Sequence, residues 1–108
     1  VKYLLLFLII FTPLVQANCV PHGCFGVEVE KLYIKASGMV YIATSGDETL
    51  MDCSAVSGVY STLSPTDPGI NRIYSTLLAA QMAGKKVSVR TVNSSNVCQI
   101  SYVTIDKQ

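Results

Sequence analysis

This 108-residue chain contains no tryptophan, and its one histidine is His22. Charge is scarce too: 14% of residues are Asp, Glu, Lys or Arg, against 50% that are hydrophobic. A disordered chain needs the opposite balance. Eight Lys and Arg against seven Asp and Glu leave no basic surplus, which removes the electrostatic basis for nucleic-acid binding. Catalysis through Ser, His and Asp would have to use His22 as its base. That residue stands beside Pro21 between two nearby cysteines and reads as a solvated loop residue. Asp47 and Glu48 are neighbours in a turn, whereas paired catalytic carboxylates usually come from separate elements. No glycine-rich phosphate loop is present. Cys19, His22 and Cys24 lack a fourth ligand at a usual zinc spacing. The expectation is a protein with no catalytic residues, no metal and no cofactor.

The long apolar run that is present comes at the start. Lys2 precedes Leu4–Phe11, Pro13 interrupts the run, and Val15 and Ala17 lie three and one residues before a cleavage point. This is the layout of a secretory signal peptide over residues 1–17. The run is about half of the ~20 residues needed to span a bilayer, so no membrane span is expected in the mature chain. The remaining residues, 18–108, read as a single domain, secreted or periplasmic. Without Lys2 its charges balance, so no strong field steers a charged partner toward it.

All four cysteines, Cys19, Cys24, Cys53 and Cys98, lie beyond that cleavage point. An even count in an exported chain reads as two disulfides. Three pairings can be drawn. The preferred one joins Cys19 to Cys24 in a short loop and Cys53 to Cys98 in a long one. A domain of this size buries roughly 60% of its unfolded surface and is marginal without cross-links. On chain-entropy grounds the long loop adds about 4 kcal/mol. The segment Cys19-Val-Pro-His-Gly-Cys24 does not read as a redox motif: four residues separate the cysteines, and no strand–helix unit follows to lower a thiol pKa.

Beyond the cysteines, Val27–Ala36 alternates as a strand, but its phase changes midway, which predicts a β-bulge near Glu30–Lys31. Ser37-Gly38 is a turn, Met39–Thr44 a second strand, and Thr49–Ser54 a short third strand. Residues 55–66 read as a long connection with an irregular strand near Val59–Leu63. Asp67 and Pro68 then open a helix over 68–83, with Asp67 as its cap and Gly84 as its left-handed stop. Ile70, Ile73, Tyr74, Leu77, Leu78 and Gln81 form its buried stripe. Asn71, Ser75, Ala79, Ala80 and Ala83 form a small, uncharged side suited to neighbouring copies. Lys86–Val92 and Val97–Ile105 are the closing strands.

This order of strand, strand, strand, helix, strand, strand predicts a mainly β protein with one helix (α+β), a small five-stranded OB-like barrel. In order and length it resembles the OB-fold B subunits of bacterial AB-type toxins. The match runs best from Asp67 to Ile105. The helix end Leu77-Leu78-Ala79-Ala80-Gln81-Met82-Ala83-Gly84-Lys85 is also similar to that of small exported bacterial proteins of unknown function. The toxin resemblance implies a homo-oligomer, a pentameric ring, that recognises a cell-surface glycan or protein receptor. Independently, tyrosines beside Ser and Thr suit neutral sugars through ring stacking and hydroxyl hydrogen bonds. The candidate ligand-binding residues are Tyr60, Ser61, Thr62 and Tyr41. Tyr33 and Tyr102, with Lys31, Lys35 and Arg90, would complete an oligonucleotide surface on an OB-fold, but the export signal and balanced charge argue against that partner. The second functional reading is a monomeric periplasmic or secreted accessory or inhibitor protein.

Overall fold

A computed structural model describes residues 18–108; the expected signal peptide, residues 1–17, lies outside the described residues. The first described element is a hairpin that the strand pattern does not predict. Strand β1 (Asn18–Val20) turns through Pro21-His22 into β2 (Gly23–Ile34) and pairs with its first residues, placing Cys19 opposite Cys24. A disulfide joins those two cysteines, and a second joins Cys53 to Cys98, matching the preferred pairing.

Twelve residues long, β2 organises the sheet. Its first half pairs with β5 (Lys86–Thr91), its second half with β3 (Val40–Thr44), both antiparallel. Two irregularities let one strand serve both neighbours. The register shifts between Cys24 and Val27 on the β5 side, and between Val29 and Lys31 on the β3 side. The second shift is the bulge expected from the change of phase: Val27 and Val29 are buried before it, and Leu32 faces the core after it.

The third strand does not fall at Thr49–Ser54, where the sequence suggests it. Residues 48–50 form a 3₁₀ turn, and the partner of β3 is β4 (Ser61–Leu63). The cause is local. The Asp47 carboxylate accepts the Thr49 N–H at 3.0 Å. Glu48, buried, accepts both the N–H and the hydroxyl of Thr44, at 2.8 and 2.7 Å. These bonds curl the chain back on itself and drop Met51 into the core. Four strands therefore precede the helix, and six are present among the described residues.

Helix α1 (Ile70–Ala83) packs on β2, β5 and β6 (Ile100–Thr104) through Ile73, Tyr74, Leu77 and Ala80. It starts two residues later than expected, with Gly69 as its cap and no side-chain cap bond. Asp67 holds the preceding turn instead, its Oδ2 accepting the Ser64 N–H at 2.8 Å. At the other end Gly84 adopts φ 66°, and the N–H groups of Gly84 and Lys85 return to the last turn, the expected left-handed stop. Ala80, placed by sequence on the small outer side, is buried at 1% exposure; Asn71, Ser75, Ala79 and Ala83 are exposed.

The strands run in the order β4-β3-β2-β5-β6, an open, antiparallel sheet with one helix. Its two outer strands approach through one parallel bridge, Thr62 to Gln99, just before β6. Thr62 donates its N–H to the Cys98 carbonyl (3.0 Å) and its hydroxyl to the Val97 carbonyl (2.9 Å). The core between sheet and helix contains Val27, Ile42, Leu63, Leu77, Val87 and Val89, each at most 2% exposed.

Candidate functional site

Side chains alternate across a strand, so after its bulge β2 sends Lys31, Tyr33 and the following Lys35 to the face opposite Leu32 and Ile34. Tyr33 lies directly across from Tyr41 on β3. Tyr60 reaches the same face from a different local structure. Val56 and Tyr60 exchange two main-chain hydrogen bonds of 3.0 Å, closing a tight loop through Ser57 and Gly58, both at positive φ. That loop delivers Tyr60 immediately before β4.

The three rings form a mutual cluster. Centroids are 5.4 Å apart for Tyr33 and Tyr41, 6.1 Å for Tyr33 and Tyr60, and 6.0 Å for Tyr41 and Tyr60. Their planes are inclined by 32°, 54° and 73°, so no two rings stack flat and each can offer surface outward. Tyr33 is 44% exposed, while Tyr41 and Tyr60 are half-buried. The Lys35 Nζ sits 5.0 Å from the Tyr41 ring centroid, within cation–π range.

Of the four expected ligand-binding residues, Tyr41 and Tyr60 come together here. Ser61 and Thr62 do not present hydroxyls to a ligand. Both are buried, at 2% and 1% exposure, and the Thr62 hydroxyl is committed to the Val97 carbonyl. They fall on β4, between β3 and the segment that leads into β6. Tyr33 and Lys35 take their place. Their signal in the sequence is the alternation restarted after the bulge, which puts Lys31, Tyr33 and Lys35 in one row.

Tyr102 belongs to a separate patch. It lies across from Arg90, whose guanidinium carbon is 5.9 Å from its ring centroid. His22 stands exposed at the β1–β2 turn, 5.3 Å from Phe25. Asp47 and Glu48 point to different places, one exposed on the 3₁₀ turn, the other buried against Thr44. Among the described residues no three His, Cys, Asp or Glu side chains are grouped so that they could hold a metal ion, and no helix is long and apolar enough to cross a membrane. A groove of about 180 Å³ lies between Ile34, Val40 and the start of α1 at Ile70 and Tyr74. A second hollow, about 160 Å³, lies beside Lys86 and Gln108.

No protein-family model, curated protein or solved structure matches this chain.

Proposed function

We propose that this chain is an exported, non-enzymatic binding module with an OB-like architecture, which recognises a cell-surface glycan or protein receptor. The observation that carries the reading is the cluster of exposed Tyr33 with half-buried Tyr41 and Tyr60, on the outer face of β2 and β3 beside the start of β4. Aromatic rings inclined to one another offer apolar facets to the C–H faces of sugars, and their hydroxyls stay available for hydrogen bonds. Between glycan and protein, the exposed Lys31 and Lys35 that flank the rings favour the glycan, since protein-docking surfaces tend to be broader and more continuously apolar.

The sheet is open, and the OB-like reading is a proposal drawn from the order of its elements. One long strand with two bulges pairs with two neighbours, the helix joins the sheet's two halves, and a parallel bridge links Thr62 to Gln99 between the outer strands. Two disulfides favour an oxidising compartment. The homo-oligomeric ring draws on the exposed side of α1. Arg72 is the one charged residue in Ile70–Ala83, and Met82 is 80% exposed.

The test is a glycan array followed by solution titration of any hit. Tyr60→Ala and Tyr41→Ala each weaken binding about tenfold or more, as loss of a ring stack does, and Tyr102→Ala does not. Undiminished binding by Tyr60→Ala refutes this surface. The mass in solution tests the ring: a stable monomer at micromolar concentration refutes it.

A further inference from the structure

Resting on the reading of the tyrosine cluster as a saccharide surface, we infer that the sugar it takes is anionic, carrying a carboxylate or a sulfate beside the ring that stacks on the tyrosines. Lys31, Tyr33 and Lys35 follow one another on the same face of the chain, with Tyr41 across from Tyr33 and Ala43 across from Lys31. The Cα atoms of Lys31 and Lys35 therefore lie on either side of Tyr33, each roughly 7 Å along the chain. That spacing suits contact with substituents on a single sugar ring lying over Tyr33 and Tyr41.

Residues 31–46 and 53–66, the stretches that supply β3, β4, the Tyr60 loop and β2 after its bulge, contain no acidic residue, while exposed Glu30 stands at the bulge beside Lys31. The described residues as a whole are balanced in charge, and with Glu30 set beside Lys31 the positive excess of this face rests on Lys35. The hydroxyls that would have served a neutral sugar, those of Ser61 and Thr62, are buried. Lys35 is already held over the Tyr41 ring, which positions its ammonium next to the aromatic surface instead of leaving it free in solvent. An anion there gains a charge-assisted hydrogen bond, the stronger class of polar contact.

The experiment titrates the full chain with three oligosaccharides that share one neutral core and differ only in the terminal residue: an unmodified hexose, a 6-O-sulfated hexose, and a hexuronate. Binding is read by calorimetry and by shifts of the tyrosine ring resonances. An anionic terminus is expected to bind about tenfold more tightly than the neutral one, a preference that shrinks as salt rises. Preference for both anions, or for one of them, supports the inference and identifies the group. Lys35→Gln and Lys31→Gln are expected to reduce the ratio, and Lys35→Arg to keep it, with near-UV circular dichroism confirming an unchanged fold. Equal binding of all three sugars overturns the inference and leaves the glycan reading standing. Binding of none of them, with no ring shifts, overturns both. Binding of a single-stranded oligonucleotide more tightly than either acidic sugar also overturns it.

Discussion

The Gln99 amide donates from Nε2 to the Asp67 Oδ1 at 3.0 Å, across 32 residues of sequence. It thereby fastens the turn before α1 to the segment that enters β6. The other Asp67 oxygen accepts the Ser64 N–H, so one carboxylate braces both the helix approach and the place where the sheet's two outer strands meet. Gln99 is itself the residue bridged to Thr62.

A double-mutant cycle on this pair is expected to report a real coupling. Asp67→Ala and Gln99→Ala should each cost about 1–2 kcal/mol in urea unfolding, with a coupling of at least about 0.5 kcal/mol. An Asp67 acting only as a helix cap would show no coupling to Gln99, and that result would contradict the arrangement described.

The core and the exposed side of α1 should respond differently to truncation. Leu77 is 0% exposed and Met82 is 80% exposed. Leu77→Ala is expected to destabilise by about 2–5 kcal/mol, through lost burial and the cavity left behind. Met82→Ala in the isolated protein should stay within about 0.5 kcal/mol. A large loss at Met82, measured by thermal unfolding at several protein concentrations, would mean that this side is covered in solution.

The two disulfides differ in the loop that each closes: 5 residues of separation for Cys19–Cys24, 45 for Cys53–Cys98. Replacing both cysteines of the long loop by alanine should cost about 2 kcal/mol more than the same change in the short loop, if unfolded-state entropy governs. The long loop has a further structural task. Cys98 adopts φ 45° at 0% exposure and offers its carbonyl to the Thr62 N–H, so the bond holds its segment against β4. Amide exchange at Thr62 should accelerate when Cys53–Cys98 is removed and stay slow when Cys19–Cys24 is removed. Equal acceleration in both variants would assign the closure to something else.

Much of the molecule is written in short-range pattern. The change of phase in Val27–Ala36 locates the bulge, since a period-two strand cannot reverse its inward face without one extra residue. The helix stripe and Gly84 mark where α1 packs and where it stops. Residues 49–54 misled because a short mixed segment following the turn at Ser45–Glu48 reads as a strand. The Asp47 and Glu48 side chains compete for nearby backbone donors and win. Asp67 misled in a similar way: it has the chemistry of a helix cap, and the fold uses that carboxylate for Ser64 and Gln99.

From residue order alone come a mainly β protein with a single helix, the bulge, the helix stop and the favoured cysteine pairing, because each depends on periodicity, backbone conformation or loop length within one stretch of chain. Which hydroxyls are hidden and which tyrosines meet depends on partners far apart in sequence. Tyr33, Tyr41 and Tyr60 become neighbours through cross-strand register and a tight loop, while the same register folds Ser61 and Thr62 inside. Register is set by how the whole sheet buries its apolar face, so only the assembled tertiary structure turns three scattered rings and two lysines into one surface.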